Sequence, residues 1–383
     1  MRRSDRLTID RGADVASPHD AIRPGQVSEG VARSSLHRHV PGRRGFGRWG
    51  IALALGAYVA VAVLLVVFIP SFVLFYFTSG AIYAIAALGQ DWLVCRAGDA
   101  SVGAAAFLLI GAFTTAAVEH LSWGGFPITL VASFIVGGVI GLGIGLIGLR
   151  FVGLYLILTT LALQYLAVYG AKQYQAHLNG GAGLIVSARW LGGSVFGTGR
   201  TFAMLSFALL GIAIIVLRNL YSGSCGTVWG AIASNRLGAA ASGIDVRRWR
   251  LKAFFGSCAI TSAAGSLLAV QLQYVTDTPF SLALAVAVLT MVFIGGRGTL
   301  SGPIVGAMLV TFIPFGIQQL GSLVPAGSSV GTWMASNYGF VADALFGFAL
   351  LGVLISRGNG IAQLVTSLWS KFFSRKQAVG SHG

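Results

Sequence analysis

The sequence predicts an all-α integral membrane protein, a polytopic helical bundle of about ten transmembrane helices. Three observations carry that reading. Hydrophobic residues make up 55% of the 383-residue chain and charged residues 10%, with mean hydropathy +0.80, whereas soluble domains carry about 25% charged residues. Apolar runs recur near the ~20 residues that cross a hydrocarbon layer as a helix. Glycine, at 54 residues, is the small residue that lets helix backbones approach closely in lipid.

Residues 1–48 are polar, rich in Arg, Gly, Ser and His, and lack helical period, which predicts a disordered basic tail in the cytoplasm. "GRRGFGRWG" (Gly42–Gly50) before an apolar run is similar to a twin-arginine export signal. Arginines beside a first span also hold that end in the cytoplasm, and the many later spans favour this second reading. The apolar runs place spans at about 51–69, 72–94, 103–120, 127–148, 151–170, 202–217, 253–275, 280–296, 302–320 and 339–356, within a transmembrane domain over 49–357. The segments 103–120 and 280–296 are short or rich in small residues, the pattern of a broken or re-entrant span. A second cytoplasmic tail follows over 358–383.

Charge tests this layout independently. With the N-terminus inside, twenty-three of the 26 lysines and arginines fall on the inner side, and only Lys172, Arg189 and Arg200 fall outside. Ten spans with both termini cytoplasmic follow. The net charge of +15 thus belongs to tails and inner loops, and nucleic acid is not an expected partner. "GDAS" (Gly98–Ser101) and "GTLS" (Gly298–Ser301) each follow an inward-running span and precede an outward-running one, an echo compatible with internal repeats or with chance.

Enzyme chemistry finds little support. The four lysines are Lys172, Lys252, Lys371 and Lys376, and none follows a glycine, so a G-x-x-x-x-G-K-[ST] phosphate loop is ruled out. Cys95, Cys225 and Cys258 make no disulfide framework, and the six histidines have no metal-site spacing. Neither cofactor nor metal is expected. A proton relay needs acids at membrane depth, and Asp91 alone lies within a span away from its outer end. It lines a pathway or pairs with Arg96 near the inner interface.

Five ordered blocks point further: "LGQDWLVCRAGDASVGAAAFLLIGAFTTA" (Leu88–Ala116), "LRFVGLYLILTTLALQYL" (Leu149–Leu166), "NGGAGL" (Asn179–Leu184), "SGIDVRRWRLKAFFGSCAITSAAGSLLA" (Ser242–Ala269) and "MVFIGGRGTLSGPIVGA" (Met291–Ala307). Together they resemble the LivM-type permease of branched-chain amino acid ABC importers. The resemblance implies a permease-type bundle in the bacterial inner membrane that pairs with a second, LivH-like permease. It also implies two separate ATPase subunits, which would bind the ATP, and an extracytoplasmic solute-binding protein.

It further implies a cytoplasmic coupling loop at 218–252. Thr227 to Ala241 is alanine-rich and predicts one short helix. Gly243 suits a left-handed C-cap, Ile244 can pack back on the helix end, and Asp245 can N-cap the next helix. Ala239, Ala240, Ala241, Gly243, Ile244, Asp245 and Arg247 are the expected ATPase-coupling residues. The other basic residues nearby read as topological anchors. The stretch departs from the family pattern, which carries acids in this helix, while "AIASNRLGAAASGI" (Ala231–Ile244) has none. Ala104 likewise stands where the family often has histidine.

For the translocation path the polar span residues are Asp91, Thr159, Thr160, Gln164, Gln271 and Gln273. Thr160 and Gln164 share a helix face. Such groups line a passage or bond between helices. A urea or short-amide importer of the same family and an ion-gradient-driven secondary transporter remain the alternatives.

Overall fold

The computed structural model describes residues 48–323, except 100, 122–124, 150–153, 188–198 and 297, together with 336, 340, 344 and 348. Its helices are α1 (Arg48–Phe68), α2 (Ser71–Asp91), α3 (Ala104–His120), α4 (Ile128–Gly148), α5 (Leu154–Asn179), α6 (Arg200–Ser222), α7 (Ser224–Ser234), α8 (Arg236–Ala241), α9 (Val246–Leu272), α10 (Leu282–Gly295) and α11 (Ser301–Leu323). Two short strands, β1 (Leu184–Ile185) and β2 (Tyr274–Val275), pair antiparallel.

Helices occupy nine of the ten expected spans; the tail at 1–47, the span at 339–356 and the tail at 358–383 lie outside the described residues. Among the described residues, four helical segments are long and apolar enough to cross a membrane: Ser71–Ala97, Ile128–Gly148, Arg200–Ser222 and Val246–Leu272. The two short segments differ from a full span. α3 has 17 residues and α10 has 14, about 26 and 21 Å at 1.5 Å per residue, against a hydrocarbon thickness of ~30 Å. The backbone ahead of α10 is non-helical, and Gln164 donates to the Phe280 carbonyl at 2.7 Å. That bond satisfies a carbonyl which lipid cannot.

α9 is the central element and packs chiefly on α4, α3 and α2. Small residues make this approach feasible. Gly137, Gly141 and Gly145 recur every fourth position on α4, so they form one stripe. A side chain on Gly141 would stand 2.5 Å from Cys258 Cβ, and one on Gly145 would stand 3.0 Å from Phe254 Cβ. The opposite face of α4 leaves Val131, Ile135 and Val139 exposed, the pattern of a helix with one side toward lipid. A buried hydroxyl cluster stitches the same three helices. Thr115 donates to Ser266 at 2.7 Å, and Ser133 donates to the Gly111 carbonyl at 3.0 Å. With little hydrophobic drive between helices inside a bilayer, such packing and bonds hold them together.

The chain alternates between two ends. Gly98, Gly148, Arg250 and Gly298 gather at one, and Ser187, Tyr274 and the β1–β2 pair at the other. Gly141→Val is therefore expected to destabilise the bundle by about 1–3 kcal/mol through overpacking. Gly143→Ala, where a Cβ meets nothing within 4 Å, leaves the melting temperature of the purified protein unchanged.

Candidate coupling and translocation sites

The basic stretch between α6 and α9 folds into helices rather than a loop. The expected single helix breaks at Asn235, whose extended backbone (φ −155°, ψ 106°) ends α7. Asn235 then caps α8, its side-chain oxygen accepting from Gly238 N at 3.0 Å. Asparagine competes for backbone bonds in this way, and that competition overrides the alanine propensity on either side. α8 ends at Gly243, whose φ of +80° is left-handed. Gly243 N donates to Ala240 O and Ile244 N to Ala239 O, the paired bonds of a Schellman cap. Asp245 accepts from Arg248 N at 3.1 Å and opens α9. Ala239 is buried, Ile244 half-buried, and Ala240, Ala241, Gly243, Asp245 and Arg247 are exposed. Leu237 is 84% exposed, so α8 presents an apolar knob flanked by small residues.

Two of the arginines do more than set topology. Arg250 sits in the second turn of α9, nearly buried. Its Nε donates to Asp99 Oδ2 at 2.8 Å and its Nη2 to Asp99 Oδ1 at 2.9 Å and to Gly148 O at 3.2 Å. Arg236, the first residue of α8, donates from Nη2 to Asp99 Oδ1 at 2.7 Å and to Gly98 O at 2.9 Å. One buried carboxylate thus joins four pieces of chain: the α2–α3 loop, the end of α4, α8 and α9. Sequence reasoning left Asp99 without a role and took both arginines as anchors. The available signal was an acid in a loop otherwise shared with cations; its partners are 137 and 151 residues away, beyond any local pattern. Arg247 and Arg248 stay exposed, and Arg248 pairs with Asp245 on the surface.

An aromatic brace accompanies the node. Trp229 on α7 is buried, with its ring edge-on to Trp92 and to Trp249, both at 5.2 Å between centroids. Trp92 opens the π-helical turn Trp92–Ala97 that ends α2. Nearby, the two glycine turns of the sequence echo, Gly98 and Gly298, both adopt positive φ. Asp91 accepts from Gly298 N at 3.0 Å while Arg96 donates to Gly298 O at 3.2 Å. The expected direct pairing of Asp91 with Arg96 is therefore replaced: each binds one side of the Gly298 backbone. A glycine carbonyl and amide at a helix turn offer both partners a geometry that four residues of their own helix do not. Arg96 also lies 4.4 Å over the Tyr221 ring.

The other path residues fall in two groups. On α5, Thr159 donates to its own helix at Tyr155 O, Thr160 accepts from Val102 N at 3.2 Å, and Gln164 bonds to Phe280. On the far side of α9, Gln271 donates to Phe75 O at 3.1 Å and Ser79 Oγ at 2.9 Å. Gln271 and Gln273 line a cavity of about 240 Å³ with Ser71, Leu74, Phe75, Thr78, Gly199 and Phe202. Arg250 and Gln271 lie at opposite ends of α9, 21 residues or about 32 Å apart. Among the described residues no cluster of His, Cys, Asp and Glu could hold a metal ion.

Apolar helices alternating between two ends, with a clamped short helix between α6 and α9, define a multi-pass membrane protein of the transporter-subunit class. Residues 72–355 match the family described as branched-chain amino acid transport system / permease component, and the chain belongs to that family. It is 26% identical over 253 residues to the LivM high-affinity branched-chain amino acid transport system permease of Escherichia coli K12, covering 60% of each chain. Its identity to LivM of Salmonella typhimurium LT2 is 25% over 259 residues, 61% of this chain and 60% of that one. It is also 31% identical over 137 residues to the "Probable ABC transporter permease protein YphD" of Escherichia coli K12, covering 34% and 40% of the two chains. The matched stretch thus spans about 60% of the length of the LivM relatives. No solved structure matches the chain.

Breaking a buried ion pair from one side costs about 3–5 kcal/mol. Arg250→Ala is expected to lose that much in denaturant or thermal unfolding. Arg250→Lys rescues little, because an ammonium cannot reproduce the two-pronged bond. Arg236→Ala, whose side chain is 28% exposed, costs clearly less in the same measurement.

Proposed function

We propose that this chain is a permease subunit of an ABC importer for branched-chain amino acids, set in the bacterial inner membrane with ten spans and both termini cytoplasmic. In this reading 49–357 is the transmembrane domain, and the tails at 1–48 and 358–383 lie in the cytoplasm. A second, LivH-like permease completes the pathway, two ATPase subunits bind and hydrolyse ATP, and an extracytoplasmic binding protein delivers the solute. The observation that carries the proposal, beside family membership, is the exposed helix α8 tied by Arg236 to Asp99.

In the proposed cycle the ATPase seats α8 in a groove. Leu237, Ala240 and Ala241 give that surface shape without charge, since the helix has no acid. Docking rests on apolar contact around Leu237, with Arg247 and Arg248 at the rim as partners for acids on the ATPase. Motion of α8 passes through Arg236 and Asp99 to the α2–α3 loop, and through Arg250 to α9 and the end of α4. A push on one short helix thereby moves three spans as a unit.

With the assembled subunits in proteoliposomes, leucine uptake is expected to need internal ATP. Ala240→Trp, a bulky group on the exposed face, lowers uptake about tenfold or more, a docking loss of roughly 1.4 kcal/mol, while the permease melts as before. Uptake that runs on a proton or sodium gradient without ATP would overturn the proposal.

A further inference from the structure

The cavity at the far end of α9 has a chemistry of its own. Two helices start at its edge, α2 at Ser71 and α6 just after Gly199. Neither start carries a side-chain cap, since Pro70 and Gly199 occupy the cap positions. The first bonds inside these helices run from Leu74 N to Pro70 O and from Ala203 N to Gly199 O. The amides of the preceding three residues in each helix therefore have no acceptor within the helix. Two such N-termini, each with a partial positive charge, favour an anion. Arg200, exposed in the first turn of α6, adds a full charge. The wall opposite is apolar, from Leu74, Phe75 and Phe202.

A second observation is independent of the helix ends. Gln271 lines the cavity and is only 6% exposed. Its amide nitrogen is engaged with Phe75 O and Ser79 Oγ, while Oε1, fully buried, has no partner. A buried acceptor left in that state costs about 1–3 kcal/mol, and a donor arriving in the cavity removes the cost.

We infer that this cavity is a receiving site for a zwitterionic amino acid with a small apolar side chain. The two helix starts take the carboxylate, Gln271 Oε1 takes the ammonium, and Leu74, Phe75 and Phe202 take the side chain. No acid or lysine lines the cavity, so the ligand's two charges are met by helix ends and a carbonyl rather than by ion pairs. Such a site holds its ligand weakly enough to pass it on. A neutral urea or amide leaves the helix ends unanswered and the apolar wall unused. The inference rests on the importer reading for the direction of traffic, and the binding chemistry stands on the cavity itself.

The test is equilibrium binding of tritiated L-leucine to the purified full chain in lipid nanodiscs. Leucine is expected to bind saturably, and leucinamide and 4-methylpentanoate, each lacking one charge, displace it about tenfold or more less well. Ser71→Asp, which suits a helix start but sets a carboxylate in the anion's place, weakens leucine about tenfold or more, whereas Gly143→Ala does not. Absence of saturable binding up to ~10 mM, equal displacement by the two analogues, or unchanged affinity in Ser71→Asp would overturn the assignment. Uptake by the assembled importer separates the two proposals. Leucine transport with a failed binding test rejects the cavity alone, and binding without ATP-driven transport rejects the importer reading alone.

Discussion

Everything at one end of this protein depends on a single buried carboxylate. Asp99, 2% exposed, accepts from two guanidinium groups that come from α8 and from α9. A lone carboxylate at that depth would be strongly disfavoured, and a bidentate arginine is the group best shaped to compensate it. The remaining donor capacity of the arginines is turned to the Gly98 and Gly148 carbonyls, the backbone acceptors at the ends of α2 and α4 that the helices themselves leave over. Geometry of this kind has little tolerance. The four chain segments meet in one arrangement, and α8 is held where its outer face is free.

Packing extends that constraint along the molecule. Glycines at every fourth position bring α4 against α9, and hydroxyls of Thr115, Ser133 and Ser266 join α3 to both. α9 is 27 residues of uninterrupted helix, so its two ends move together. The Asp99 node sits at one of them and the Gln271 cavity at the other. In the proposed importer this makes α9 the rod between the ATPase contact and the site that first receives solute.

The sequence made some of this legible and hid the rest, for physical reasons. Apolar runs and charge bias located nine helices because hydropathy in a membrane is a local signal. The Gly243 cap and the Asp245 start were legible because caps depend on neighbouring residues. The break at Asn235 was missed because alanine propensity on both sides spoke for one helix, and a single cap outweighed it. Asp99, Arg236, Arg250 and the three tryptophans escaped notice because their partners are distant in the chain. Arginines that stay on the inner side satisfy topology and a buried salt bridge at once, so their positions alone do not reveal the second role. Asp91 and Arg96 were close enough to be paired on paper, yet both turned to the Gly298 backbone instead.

The central claim is that the Arg236–Asp99 bond transmits motion from α8 to the bundle. The most direct measurement is the number of leucine molecules moved per ATP hydrolysed by the assembled importer carrying Arg236→Ala. With the link cut, the ATPase still turns over against a bundle that no longer follows, and the ratio is expected to fall about tenfold or more, within the range of coupling energies between sites. A ratio equal to that of the unaltered protein, with hydrolysis and uptake falling or holding together, would contradict the account.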